Sequence, residues 1–167
     1  MKRHIFTIYL LCFGSFAIAD SCWDAQRDRG MAVDMQNWNM MLRAADNVIR
    51  SCGHTTGRDF GRIVADKVIA NIKLYNYGAA LKNIDQCLNN YPAYPVCLYW
   101  KAVIFRDGNL KNEFEAAKRE AEAAATYFVR NKSQLLSQAF TNEDRLNIAA
   151  DIDVAAAVLN NLRELTF

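Results

Sequence analysis

The chain has 167 residues, of which 52% are hydrophobic and 23% charged, with only 2 prolines and 7 glycines. This composition is typical of one globular domain and excludes both a disordered tail and a collagen-like chain. The formal charge of +2 falls to zero once Lys2 and Arg3 are removed with the leader described next, so we expect no basic surface for nucleic acid or anionic lipid.

The start of the chain predicts a secretory signal peptide. A basic start precedes an apolar run over residues 5–16 and the small-x-small sequence Ala17-Ile18-Ala19, which is the usual order of regions in such a leader. A membrane anchor is the alternative, but it needs about 20 apolar residues, and Asp20 interrupts the run too early.

We therefore expect a signal peptide over residues 1–19 and a single helical domain over residues 20–167. The domain would be exported, with the bacterial periplasm as the expected compartment, and would not insert into the membrane after cleavage of the leader.

Four cysteines remain after the leader is removed, and in an oxidising compartment four cysteines suggest two disulfides. Three pairings are possible. We expect Cys22–Cys52 and Cys87–Cys97, because each pair brackets one helix-helix unit. A zinc site is the alternative, but no C-x-x-C occurs and His54 is the only histidine after the leader, so we expect no metal.

Three segments along the chain share one helical pattern. Proline and glycine are scarce, so helix is the default prediction. Each segment begins with an aromatic residue and continues with smaller apolar residues at intervals of 3, 4 and 3, which places them on one helix face. The segments are Trp38-Met41-Ala45-Val48, Tyr77-Ala80-Ile84-Cys87 and Phe114-Ala117-Ala121-Ala124.

These segments are spaced by 39 and then 37 residues. Self-similarity at such a period in a helical chain predicts stacked helix pairs. Because any amphipathic helix can show a 3-4-3 spacing, a chance match of two segments is the alternative.

The middle of the chain, over residues 63–124, resembles the tetratricopeptide repeat. The matching second helix is Asn76-Tyr77-x-x-Ala80 followed by Ile84, Cys87-Leu88 and Pro92, and the next first helix is matched by Leu98, Ala102 and Phe105. Residues 23–52 match weakly, and the spacings exceed the 34 residues of the family repeat. The resemblance implies an all-α fold of stacked antiparallel helix pairs, a tetratricopeptide-like superhelix.

The C-terminal segment predicts a capping helix that closes this array. Thr141 is placed as N-cap, and Glu143 and Asp144 follow at the positive helix end. From there to Leu165, one broad apolar face is expected to be buried. That face consists of Ile148, Ile152, Ala155, Ala156, Leu159 and Leu162.

The resemblance also implies a concave surface, lined by the first helix of each pair, that binds a protein or peptide. On the best-matched repeat this face carries Val96, Tyr99, Val103, Arg106 and Asp107; on the preceding repeat it carries Arg62, Ala65, Ile69 and Lys73. An aromatic and aliphatic strip ending in arginine suits an extended or helical segment of a partner. The alternative is that Tyr99 and Val103 complete the core.

The sequence predicts no enzyme and no cofactor. Phosphate loops, calcium loops and the common hydrolase motifs are absent. A Cys52–His54 nucleophile pair is conceivable, but we expect Cys52 to be oxidised. Asp144 and Asp151, two helical turns apart, are interpreted as solvated charges rather than a glycosidase pair.

Three functions compete on these grounds. The first is an exported adaptor or assembly factor that binds another envelope protein. The second is a periplasmic immunity protein that neutralises a toxin delivered by the secretion system of another bacterium. The third is an enzyme that uses Cys52 and His54. We expect the first.

Overall fold

A computed structural model describes residues 21–53 and 57–167, and in these residues it contains only helices, turns and loops. The predicted all-α fold is confirmed. The predicted leader, residues 1–19, lies outside the described residues, as does His54. The helices are α1 (21–34), α2 (Trp38–Cys52), α3 (Gly57–Lys73), α4 (Tyr77–Asn90), α5 (Pro95–Asp107), α6 (Lys111–Arg130), α7 (Lys132–Ser137) and α8 (Asn142–Glu164).

The helices pack as neighbouring pairs. α3 packs mainly on α4 and α5 mainly on α6, while α2 contacts α3, and α4 contacts α5. α8 packs on α6 and also reaches α5. In the described part of the chain, no helix combines the length and the apolar character needed to cross a bilayer.

The turns inside the first three pairs have the same hydrogen bonds. Each has one residue in the left-handed conformation: Gln36, Tyr75 and Asn109, with φ of 51°, 57° and 58°. The amide of the following residue donates to the carbonyl five residues earlier: Asn37 to Ala32, Asn76 to Asn71, and Leu110 to Phe105, at 2.8–3.1 Å. This is the Schellman arrangement, which satisfies the last carbonyls of a helix.

These turns correct the repeat spacing. The first two are 39 residues apart, as predicted, but Tyr75 and Asn109 are 34 apart rather than 37. The difference between 39 and 34 comes from helix length, since α2 has 15 residues against 14 in α4, and α3 has 17 against 13 in α5. In turn register Phe114 therefore corresponds to Ala80, one helical turn from the predicted match with Tyr77.

Both predicted disulfides are confirmed. Cys22–Cys52 joins the first turn of α1 to the end of α2, with Cα atoms 4.7 Å apart. Cys87–Cys97 joins α4 to α5, with Cα atoms 6.7 Å apart, and both of its cysteines are fully buried. Each therefore fastens one contact between consecutive helices.

Small residues allow the helices to approach closely. Ala80 and Ala102 are fully buried, as the predicted packing requires. Gly61 in α3 faces Tyr91 so closely that an added Cβ would lie 2.6 Å from the Cβ of Tyr91. No larger residue fits at position 61 without moving one of the two backbones.

α8 begins and ends almost where predicted. The Thr141 hydroxyl accepts from the amide of Asp144, and the Asp144 carboxylate accepts from the amide of Thr141, which forms a capping box. Ile148, Ile152, Ala155 and Leu162 are buried and Leu159 is partly buried, as expected. Ala156, however, is exposed, and Val158 is buried in its stead.

Candidate functional site

An open hollow of about 290 Å³ lies between the α3–α4 turn and α5. Four of its lining residues are aromatic, so we name it the aromatic hollow. It is lined by Ile72, Lys73, Tyr75, Tyr77, Tyr99, Trp100, Val103, Arg106 and Asp107. The structure thus brings together five of the seven residues predicted to bind a partner: Lys73, Tyr99, Val103, Arg106 and Asp107.

The floor of the aromatic hollow belongs to the core, and its walls are open to solvent. Ile72 and Val103 are buried, the latter with only 5% of its surface exposed. Tyr99 and Trp100 are partly buried, with their rings edge to face at a centroid distance of 5.1 Å. For Val103 the alternative role in the core therefore holds, whereas Tyr99 has one side in the core and one side on the surface.

The charged groups of the aromatic hollow are unevenly paired. The Arg106 guanidinium donates from Nε and Nη2 to one carboxylate oxygen of Asp107, at 2.9 and 2.7 Å. Lys73 Nζ lies 5.9 Å from the centroid of the Trp100 ring, and no carboxylate of residues 21–53 or 57–167 pairs with it within 4.0 Å. Both cations lie in last helical turns, where the helix dipole favours them.

The charges of Arg106 and Asp107 act on the Tyr99 hydroxyl. Burial raises the pKa of Tyr99, and the nearby guanidinium of Arg106 opposes that rise only in part. The phenol is therefore neutral at physiological pH and can donate a hydrogen bond as well as accept one.

Ile72, Tyr75, Tyr77 and Trp100 line the aromatic hollow but were not predicted to bind a partner, and Tyr75 is the most exposed of them. It occupies the left-handed position of the α3–α4 turn, and 81% of its surface is exposed. The signal was present in the sequence, because Tyr75-Asn76-Tyr77 follows Gln36-Asn37-Trp38 by 39 residues. Both asparagines are N-caps, accepting from the amides of Met40 and Ala79.

The other two predicted residues, Arg62 and Ile69, lie elsewhere. They line a second hollow of about 380 Å³ between α3, α5 and α8, together with Ala65 and Val96. The predicted face therefore divides between two separate hollows, and Arg62 on the second one is bonded to Asp151 of α8.

Arg62 is held by α8 rather than free to bind a partner. Its Nε donates to Asp151 Oδ1 at 3.0 Å and its Nη2 to Oδ2 of the same carboxylate. The Tyr91 hydroxyl donates to Asp151 Oδ2 at 2.8 Å. Asp151 is only 3% exposed, so its interpretation as a solvated charge was wrong. We name these three residues the Arg62 cluster.

The Arg62 cluster satisfies its charges internally. Burial disfavours the charged guanidinium of Arg62, but the hydrogen bond and the negative charge of Asp151 outweigh burial and raise its pKa. Burial, and then Asp151, raise the pKa of Tyr91. Both groups stay protonated across the physiological range, which keeps three donors on one carboxylate.

Cys52 cannot serve as a thiolate nucleophile in this structure, because its sulfur is bonded to Cys22. Over the described ranges 21–53 and 57–167, the His, Cys, Asp and Glu side chains form no group of three or more that could hold a metal ion.

Comparison with known proteins gave no relative. No family model, no curated protein and no solved structure matches the chain.

Proposed function

We propose that the chain is an exported, tetratricopeptide-like module that binds another protein through the aromatic hollow and acts as an adaptor or assembly factor. The observation that carries this proposal is the gathering of Lys73, Tyr99, Arg106 and Asp107 with three further aromatic side chains in one open hollow. Tyrosine, tryptophan and arginine are the residues that most often dominate the energy of protein interfaces.

The repeat architecture supports the family part of the proposal. Three helix pairs close with the same turn, and the second and third turns are 34 residues apart, which is the length of the tetratricopeptide repeat. Such repeats expose one face of each first helix, and here α3 and α5 are the first helices of their pairs.

The two disulfides support export. Disulfides persist in oxidising compartments and are rare in the cytosol. Both cysteine pairs of the described chain are bonded, which agrees with a signal peptide over residues 1–19 and with action in the bacterial periplasm.

The shape of the aromatic hollow favours a macromolecular partner over a small substrate. Its volume of about 290 Å³ is at the low end for small-molecule sites, which are deeper and largely enclosed. Its polar groups lie at the rim, while the floor is apolar, as in the centre of an interface.

Site-specific photocrosslinking in living cells tests this proposal. Tyr99 is replaced by the photoreactive residue p-benzoylphenylalanine, and the exposed Glu120 of α6 provides the control position. We expect one discrete crosslinked protein from position 99 and none from position 120. The same products from both positions, or none from position 99, would contradict binding at the aromatic hollow. A toxin as the crosslinked protein would assign the chain to the immunity class.

A further inference from the structure

The aromatic hollow offers mainly hydrogen-bond donors. The Lys73 ammonium, the Arg106 guanidinium and the Trp100 indole can only donate, and the tyrosine hydroxyls can donate as well as accept. The one carboxylate among its lining residues, Asp107, accepts two hydrogen bonds from Arg106 at a single oxygen, Oδ1. A complementary ligand therefore carries many acceptors and few donors.

A proline-containing segment meets this requirement. Proline has no amide N–H but keeps its carbonyl, so an extended segment that contains prolines has fewer donors than acceptors, and its carbonyls are not used in internal hydrogen bonds. Its rings pack on aromatic side chains, and such segments dock in aromatic-lined grooves at low entropic cost. In a regular helix, by contrast, most carbonyls accept internal hydrogen bonds and are not available to the aromatic hollow.

The charges of the aromatic hollow also indicate which side chain the ligand carries. Arg106 is neutralised by Asp107, whereas the ammonium of Lys73 has no carboxylate partner in the described chain and lies over Trp100. An acidic side chain of the ligand would complete this pair next to the tryptophan ring.

We propose that the aromatic hollow binds an extended, proline-containing protein segment with an acidic residue placed against Lys73, and that Tyr75 is its principal aromatic contact. This inference rests on the proposed function and specifies the chemistry of the partner.

The role of Tyr75 follows from a comparison of the three equivalent turns. The left-handed conformation favours glycine or asparagine and penalises a bulky side chain. Asn109 follows that preference, and Gln36 departs from it only modestly. Tyr75 places a large ring, 81% exposed, at the same left-handed position, where a bulky side chain is the least favourable of the three. The fold gains little from this ring, and a residue that is strained without stabilising the fold points to function.

Selection from a phage-displayed library of random peptides, on the disulfide-bonded protein, tests the ligand class. We expect enriched peptides to contain prolines and an acidic residue, and their synthetic versions to quench or shift the fluorescence of Trp100. Enriched peptides without proline, or with basic residues instead of acidic ones, would overturn this inference. If Tyr99→Ala abolished the binding of such peptides, the proposal that the aromatic hollow binds a protein would still stand. A selection that enriches no peptide also overturns this inference. The proposed function is tested separately by the crosslinking at position 99.

Tyr75→Asn tests the role of the ring, with Gln36→Asn as the matched control at the first turn. For Tyr75→Asn we expect at least a tenfold loss of peptide affinity, the size expected for an aromatic anchor, and an unfolding midpoint that is equal or higher. Gln36→Asn should leave affinity unchanged. Unchanged affinity in Tyr75→Asn would overturn the assignment of Tyr75, and so would a marked fall in its unfolding midpoint, because the ring would then be stabilising the fold.

Discussion

The two ends of α3 contrast in how their polar and aromatic groups are used. At the N-terminal end, Arg62, Tyr91 and Asp151 are drawn together by α8, and Asp151 is 3% exposed. At the C-terminal end, the Lys73 ammonium lies over the ring of Trp100 and forms no ion pair with a carboxylate of the described residues, and Tyr75 is 81% exposed. The same helix therefore contributes a charge that is paired inside the protein at one end, and side chains that are open to solvent at the other.

This contrast separates stability from binding. A buried charge must be paired, so removing Arg62 or Asp151 takes away the main partner of the other charge. An exposed aromatic residue contributes little to folding but much to an interface. Substitutions at the first site should therefore change stability, and substitutions at the second should change affinity.

The largest effect is expected for Asp151→Ala. This change removes the buried carboxylate from Arg62, which keeps only the half-exposed Asp59 as an ion-pair partner, and it leaves the Tyr91 hydroxyl without its acceptor. We expect the free energy of unfolding to fall by about 3–5 kcal/mol, measured by urea denaturation. Asp153→Ala, on an exposed position of the same helix, is the control and should stay within about 0.5 kcal/mol of the wild type.

Removing both charges sharpens that test. In the double variant Arg62→Met and Asp151→Leu, no buried charge is left unpaired, since Asp59 is half-exposed, and much of the lost stability should return. A double variant as unstable as Asp151→Ala would show that the packing of α8, rather than charge pairing, determines the effect.

Tyr99→Ala should have its main effect on binding. The aromatic hollow loses a wall, and the affinity for the crosslinked partner should fall by about 2 kcal/mol or more, measured by calorimetry. Because one side of the ring touches the core, a smaller loss of stability accompanies it. Val103→Ala should do the reverse, since Val103 is buried. If Tyr99→Ala costs more stability than affinity, Tyr99 belongs to the core.

Two glycine substitutions test the close packing beside the Arg62 cluster. An alanine Cβ at position 61 would lie 2.6 Å from the Cβ of Tyr91, whereas at position 78 it would meet nothing within 4 Å. We expect Gly61→Ala to destabilise by about 1–3 kcal/mol and Gly78→Ala to stabilise by about 0.5–1 kcal/mol. Thermal unfolding of both variants gives the signs, and the same sign for both would refute the close approach of α3 to Tyr91.

The all-α fold could be predicted from the sequence because it depends on local patterns. The scarcity of proline and glycine, the 3-4-3 apolar spacing, the Thr141 cap and the cysteine spacing each predict structure within a few tens of residues. The offset of Phe114 was wrong because the 3-4-3 pattern repeats along one face. The alignment of the repeats is determined only when the left-handed turn residues Gln36, Tyr75 and Asn109 are matched with one another.

The candidate site was predicted only in part, because it depends on contacts between distant segments. Asp151 lies three residues after Ile148 and four before Ala155, so helical spacing places it on the buried face of α8. Nothing in the sequence pairs it with Arg62, 89 residues away. Tyr75 was missed because a tyrosine in a turn gives no sign of left-handed geometry unless the three turns are aligned. Residues within α5, such as Tyr99 and Arg106, were found because one helix face places them together.

The smallest expected effect concerns the Tyr91 hydroxyl and alkaline pH. Burial and Asp151 raise the pKa of Tyr91 above its ordinary value, so the folded chain holds this proton more tightly than the unfolded chain does. The resulting stabilisation is complete below pH about 10 and is lost as the pH rises from there through the folded-state pKa.

Tyr91→Phe should cost about 1 kcal/mol at neutral pH, and its free energy of unfolding should fall less steeply in alkali than that of the wild type. The remaining slope is expected from Tyr94, whose pKa burial also raises. Tyr127→Phe, which removes an exposed hydroxyl, should stay within about 0.5 kcal/mol of the wild type at neutral pH. Identical alkaline slopes for the wild type and Tyr91→Phe would mean that the hydroxyl does not depend on Asp151, and the contrast between the two ends of α3 would then rest on Arg62 alone.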